Sequence, residues 1–192
     1  MKLQACVFST PIGWLGLVGT GKRVWRLTIG HRRSEEAWSD LRRHFAEDSI
    51  TTADWYPKLK KMLEQFAAGK VVSFEDVLVR IDHRTEFQQR VLAATQTIGF
   101  GEAISYGRLA ALVGSPKAAR AVGSVMASNQ IPIIIPCHRV VGSKGELTGF
   151  SAPTGLDLKQ RLLDMEHAAL RGPLIEKERQ RFLQLESLRG KR

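Results

Sequence analysis

The sequence predicts an α+β fold in which a small antiparallel sheet with helices precedes a mostly helical second part carrying a helix-turn-helix. Three observations lead there. Residues 3–29 alternate apolar and polar side chains between Gly-containing turns, as short half-buried strands do. From residue 85 onward the apolar positions recur at helical spacing. No apolar run approaches the ~18–20 residues of a membrane-spanning helix, so the apolar residues, 43% of 192, are expected to close a globular core.

The elements follow in order. Pro11-Ile12-Gly13 and Gly19-Thr20-Gly21 punctuate the strands of the first sheet. Ala37, Trp38, Leu41 and Phe45 then predict a helix over 34–47, with Ser34 ahead of Glu35 and Glu36 as its start. Leu59, Met62, Leu63 and Phe66 share one face of a second helix over 58–68 that Gly69 stops. Residues 71–81 read as extended. Phe87, Val91, Leu92 and Ile98 predict a helix over 85–97, closed by Gly99 and Gly101. Ser105 can cap the next helix, which runs to Leu112. Gly114-Ser115 form a turn, and Pro116 is expected to open an alanine-rich helix reaching Ala127. Two helices joined by a short Gly-containing turn form the helix-turn-helix pattern, although an ordinary αα-hairpin is the commoner reading.

Charge separates these readings only in part. Lys and Arg number 29 against 19 acidic residues, a net +10. Such an excess suits either solubility or a polyanionic partner, since counterion release drives binding to nucleic acid. Lys117 and Arg120 stand among small alanines and glycines that would let a backbone approach a groove closely. Two cysteines, Cys6 and Cys137, exclude a disulfide framework and a cysteine-rich zinc site. Gln4, Ser9, Thr10 and Pro11 interrupt the opening apolar stretch, so no signal peptide is expected. An intracellular, basic protein follows.

The segment 129–142 holds the chemistry. A wholly apolar stretch framed by Pro132 and Pro136 ends abruptly in Cys137-His138-Arg139. A buried core cysteine beside a surface histidine is the bland reading. A reactive thiolate needs a base or cation nearby to lower an ordinary pKa of ~8.5, and His138 and Arg139 are such groups. Pro136 keeps Cys137 out of a regular helix, and a turn or a bridging water is needed to join thiol and imidazole.

IPIIIPCHRVVGSKGELTGF, preceded by ISYGRLAALVGSPKAARAVGSVMASN and followed by LKQRLLDMEHA, resembles the O6-alkylguanine-DNA alkyltransferases, also called methylated-DNA–protein-cysteine methyltransferases. The resemblance is specific from about Phe87 to Glu166 and looser over 1–86, in STPIGWLGLVG. It implies a winged-helix-like second part, with an α+β scaffold over 1–82 and a DNA-binding and catalytic unit over 83–167, and it ends before a basic extension over 168–192. Cys137 would be the nucleophile that takes the alkyl group from guanine O6 once, without a cofactor, leaving a thioether. His138 would act as base through a water, and Glu166 would orient it; from spacing alone, Glu166 reads as a solvated helix residue. Tyr106 would protonate the departing purine, and Asn129 would brace the turn beside the cysteine.

The resemblance further implies double-stranded DNA carrying O6-alkylguanine as partner, bound in the minor groove by a monomer, with Arg120 filling the gap left by the everted base. Lys117, Ser105, Ala119, Ala121, Gly123, Tyr106 and Arg139 complete the expected DNA contacts. Val140, Phe150, Ser151 and Pro132 would line the lesion pocket, with backbone around Cys137 and Val140 reading the guanine edge. The family loop often reads Gly-Tyr-Ser-Gly-Gly, whereas here it is Gly149-Phe150-Ser151-Ala152-Pro153-Thr154-Gly155. Phe150 can stack without a hydroxyl, Ser151 can bond near O6, and Pro153 stiffens the loop. Some members hold zinc in the first domain; with only Cys6 there, none is expected here, nor any other metal.

Residues 168–192 carry seven basic and three acidic side chains. They read as a frayed tail or, alternatively, a DNA-anchoring arm. Three rivals stay in view: a lesion binder without transfer activity, which Cys137 argues against; a sequence-specific regulator, which would need more base-reading side chains on its second helix; and a Cys-His hydrolase, which would turn over.

Overall fold

A computed structural model describes residues 2–46 and 49–171. The basic extension from residue 172 onward, and with it the expected anchoring arm, lies outside the described residues.

Three antiparallel strands, β1 (Leu3–Thr10), β2 (Gly13–Thr20) and β3 (Arg23–His31), form the centre of a five-stranded sheet. Two short parallel edges flank them, giving the order β4-β1-β2-β3-β5, with β4 at Ile50–Thr52 and β5 at Leu78–Val79. Gly13 turns the first hairpin at φ +107°, where a Cβ would lie 2.8 Å from the His31 carbonyl oxygen.

Alternation sends Leu3, Ala5 and Val18 to one face, under Leu41 of α1 (Ser34–Arg42). Phe8, Leu15 and Leu17 go to the other face, under α2 (Pro57–Ala67). An irregularity between Val18 and Gly19 puts one extra residue, Trp25, on β3. Val24 and Leu27 consequently face the same core although three residues apart.

Two expectations change in this half. α1 stops at Arg42 rather than 47, because the His44 amide closes a tight turn on the Leu41 carbonyl. Its N-cap is Arg33, so Ser34 lies inside the helix. Only Leu78–Val79 of the extended stretch pairs as a strand. The Gln96 side chain takes the carbonyls of Phe74, Glu75 and Val77, which leaves them no part in a ladder.

The second half packs α3 (Glu86–Gln96), α4 (Tyr106–Leu112) and α5 (Ala119–Ala127) against one another. A full capping box fixes the start of α3: Thr85 accepts from the Gln88 amide while Gln88 accepts from the Thr85 amide. Ser105 caps α4 as expected. α5 begins later than expected. Pro116 and Lys117 form a turn closed by the Ala118 amide on the Ser115 carbonyl, so Pro116 does not open the helix and Lys117 precedes it. A two-residue parallel pair, β6 (Ile104–Ser105) with β7 (Val140–Val141), ties α4 to the segment after the cysteine. The last described helix, α6, covers 156–171.

One apolar core runs through both halves, from Leu17, Leu27, Leu63 and Phe66 to Leu109, Val125, Ile134 and Leu162. Cys137 belongs to it. Truncating its fully buried Leu63 to Ala should cost about 2–5 kcal/mol, whereas Thr85→Ala, which removes a cap only, should cost about 1 kcal/mol. Urea denaturation midpoints check both.

Candidate active site

Residues 129–139 leave α5 and fold into successive tight turns rather than a strand. The Ile134 amide donates to the Pro132 carbonyl, Ile135 to Ile131, Cys137 to Ile135 and Arg139 to Pro136. Cys137–Arg139 form one turn of 3-10 helix, consistent with Pro136 barring a regular helix. Asn129 staples this segment from within: its Oδ1 accepts from the Ile131 amide at 3.0 Å and its Nδ2 donates to the Ile135 carbonyl at 2.8 Å. Ile133 is held at φ +69°, a conformation costly for a β-branched side chain.

Cys137 sits 5% exposed at the wall of a cleft of about 940 Å³. Asn129, Pro132, Phe150, Ser151, Ala152 and Pro153 line it from the second half, and β3 and α1 close the far side with Thr28, His31 and Asp40. This is within the size range of small-molecule pockets, ~300–1,000 Å³. Val140 does not line it: the side chain is buried, and its carbonyl accepts from the Lys159 ammonium at 2.7 Å.

Behind Cys137, His138 is fully buried and its Nε2 lies 2.8 Å from Glu166 Oε1. A carboxylate only accepts, so Nε2 carries the proton and Nδ1 keeps its lone pair. Nδ1 is buried without a partner. Burial alone would push the Glu166 carboxyl up, but the hydrogen bonds and charges of His138 and Arg139 pull it down to about 2. The Gly101 amide supplies a further donor to Oε2 at 2.8 Å. Gly101 makes this bond at φ +76°, a conformation that glycine adopts without the strain other residues would meet. Burial pushes the His138 imidazole below its ordinary value against the pull of Glu166, so the ring is neutral at pH 7.

Arg139 overturns an expectation. It does not reach a DNA surface; its guanidinium is buried, forking onto Glu166 at 2.8–3.2 Å and onto the Ile98 carbonyl at 2.6 Å. Nor is it what favours ionised sulfur. Burial raises the Cys137 thiol, and the groups opposing it are the Asn129 side chain and the charge of Lys159.

Sequence reasoning missed Lys159. It is fully buried on α6 and donates to the Val140 carbonyl and, at 3.0 Å, to the Thr148 carbonyl. The signal was present: Lys159 and Glu166 are seven apart, in one helical row with Leu162 and Leu163, and a charge on an apolar stripe is paired and structural or functional.

Tyr106 opens α4 away from the cleft. Its hydroxyl donates to the Thr148 carbonyl at 3.2 Å and accepts from the Thr148 hydroxyl at 3.1 Å. Gly123 lies beside its ring, so a Cβ there would be 3.9 Å away. Arg120 and Ala121 are exposed on α5, with Ala119 and Gly123 half-buried; Lys117 is exposed in the preceding turn, and Ser105 is taken up in capping. Among the described residues no three His, Cys, Asp or Glu side chains are grouped to hold a metal ion.

Comparison with known proteins agrees with this arrangement. The family described as "6-O-methylguanine DNA methyltransferase, DNA binding domain" matches residues 86–168. The methylated-DNA–protein-cysteine methyltransferase of Mycobacterium tuberculosis is 39% identical over 159 residues, covering 82% of this chain and 88% of that protein. That of Kluyveromyces lactis is 46% identical over 114 residues, where the match spans 59% of either chain. The crystal structure of M. tuberculosis OGT in complex with DNA superposes with a TM-score of 0.71 at 34% identity, covering 88% of this chain and 94% of that one. With matches of this identity along most of its length, this chain belongs to the methylated-DNA–protein-cysteine methyltransferase family.

Proposed function

We propose that this protein repairs DNA by direct reversal, moving the alkyl group of O6-alkylguanine to Cys137 in a single, self-inactivating event. The observation that carries the reading is a cleft-lining thiol followed in sequence by an imidazole whose tautomer Glu166 fixes, with Nδ1 left to take a proton. The S–H proton passes toward Nδ1, by way of a water where the two do not touch. Sulfur bonds to the alkyl carbon as the carbon–O6 bond breaks, and the electron pair leaves on guanine. The Tyr106 hydroxyl, released from the Thr148 carbonyl, hands guanine a proton, and the phenolate is reprotonated through solvent as His138 gives up the proton it took from sulfur, so the step balances. A soft thiolate suits attack on saturated carbon better than an oxygen nucleophile.

The target atom lies inside a duplex and must be turned out. The partner is DNA. We read α4, the turn and α5 as a winged-helix-like helix-turn-helix whose exposed Arg120 enters the minor groove, with Lys117, Ala119, Ala121, Gly123 and Ser105 near the backbone. Phe150, Ser151 and Pro132 supply the lesion pocket, and the scaffold over 1–82 supports the reactive unit over 83–167. No helix among the described residues is long and apolar enough to cross a membrane; a monomer working in the cytoplasm, or wherever the cell's DNA is held, fits this reading. A lesion binder without transfer would have no use for a thiol paired in this way.

Incubation with duplex DNA bearing labelled O6-methylguanine should leave one label per protein on Cys137, found by peptide mass. Repeated turnover, or transfer by Cys137→Ala, would overturn the reading. Arg120→Ala should slow transfer from duplex far more than from a free O6-benzylguanine base, because only the duplex requires eversion; equal slowing on both is the contrary result.

Glu166→Gln should cost about 3–5 kcal/mol by leaving the buried Arg139 charge unopposed. In the native chain the Glu166 pKa is depressed from 4.5 to about 2. Its contribution is therefore complete above pH ~4.5 and lost as pH falls toward 2. Urea midpoints recorded from pH 7 to 3 should fall across that window.

A further inference from the structure

The turns that carry Cys137 hold Ile133 in a conformation it would not choose, so something outside them must fix their start. Two contacts from outside the segment do this. The Leu27 amide of β3 donates to the Gln130 carbonyl at 3.0 Å, where β5 no longer covers that sheet edge. On the other side, Arg84 forks onto Ser128: Nη2 donates to the carbonyl at 2.7 Å and Nη1 to the hydroxyl at 3.2 Å.

Arg84 is itself a fixed post. Its amide donates to the Ile81 carbonyl, its carbonyl accepts from the Gln89 side chain, and the Thr85 capping box follows at once. Ser128 is the C-cap of α5. A cation there meets the negative end of the helix, whose last carbonyls lack partners within the helix. The next residue is Asn129, which staples Ile131 and Ile135. One guanidinium thus joins the end of the DNA-facing helix to the beginning of the reactive segment, and both Arg84 and Ser128 line the cleft.

We infer that Arg84 is a positioning residue for alkyl transfer: together with the Leu27 amide it holds the segment 128–130 so that Cys137 stays in register with the cleft. The inference rests on the alkyl-transfer reading above. It touches neither the reacting atoms nor the exposed face of α5, so its loss alters the rate of the chemical step and not the affinity for duplex.

The test compares Arg84→Ala and Arg84→Lys with the native full-length protein. The single-turnover rate at saturating O6-methylguanine duplex should fall about tenfold or more in Arg84→Ala, since small misplacements of reacting groups are costly in rate, while the Kd for unmodified duplex stays within about twofold. Arg84→Lys keeps the charge at the helix end but not the two-pronged fork, and should recover part of the rate. The pH profile of Cys137 alkylation by iodoacetamide, without DNA, should change in Arg84→Ala and return toward native in Arg84→Lys. A transfer rate and an iodoacetamide profile both unchanged in Arg84→Ala would overturn the inference. So would a loss that matches only the unfolded fraction in a urea titration of the same sample. If the native protein transfers no methyl group, the functional reading fails, and the iodoacetamide profiles still decide whether Arg84 positions the thiol.

Discussion

A carboxylate removed from water must be paired or it will not stay ionised, and Glu166 is fully buried. Its two oxygens take up His138, Arg139 and the Gly101 amide, drawing three stretches of chain to one point on α6. The cost of desolvating the charges at this point is high, so it is offset only while all partners are present in the right geometry. This constraint explains why Arg139 turns inward and why the imidazole next to the thiol in sequence has a fixed tautomer.

Lys159 repeats the device about two turns earlier on the same row of α6. Its ammonium binds the carbonyls of Val140 and Thr148, and Thr148 in turn holds the Tyr106 hydroxyl. The turn after the cysteine, the loop before Phe150 and the start of α4 are thereby linked through a single cation whose charge also favours ionised sulfur. Lys159 and Glu166 thus put two buried charges of opposite sign on one helix. Burial opposes ionisation of the thiol, and the Lys159 charge and the Asn129 side chain act against it.

Much of this was legible in the sequence where local chemistry decides. Ser105 is a cap with a mechanism, and Pro136, which has no amide to donate, keeps Cys137 out of the interior of a regular helix. Reading failed where a distant partner decides. Arg139 looks like a surface cation until Glu166, 27 residues on, captures it. Pro116 has the chemistry of a first helical residue, yet the Ser115–Ala118 turn claims it. Val71, Val72, Phe74 and Val77 are strand-forming side chains, but Gln96 takes the carbonyls of Phe74, Glu75 and Val77. Glu166 read as solvated on spacing and gained its role only from resemblance. The row it shares with Lys159 would have given both, had charge on an apolar stripe been weighed as heavily as the stripe itself.

Because α6 follows everything it organises, the chain assembles its centre in a set order. While the ribosome is still adding residues 150–166, Cys137 is an ordinary thiol without counter-charges, beside an imidazole free to tumble. The pairing that fixes the imidazole and the cation that favours ionised sulfur arrive only when α6 docks. The tautomer that leaves Nδ1 open is thus a property of the finished fold and not of the Cys-His-Arg run alone.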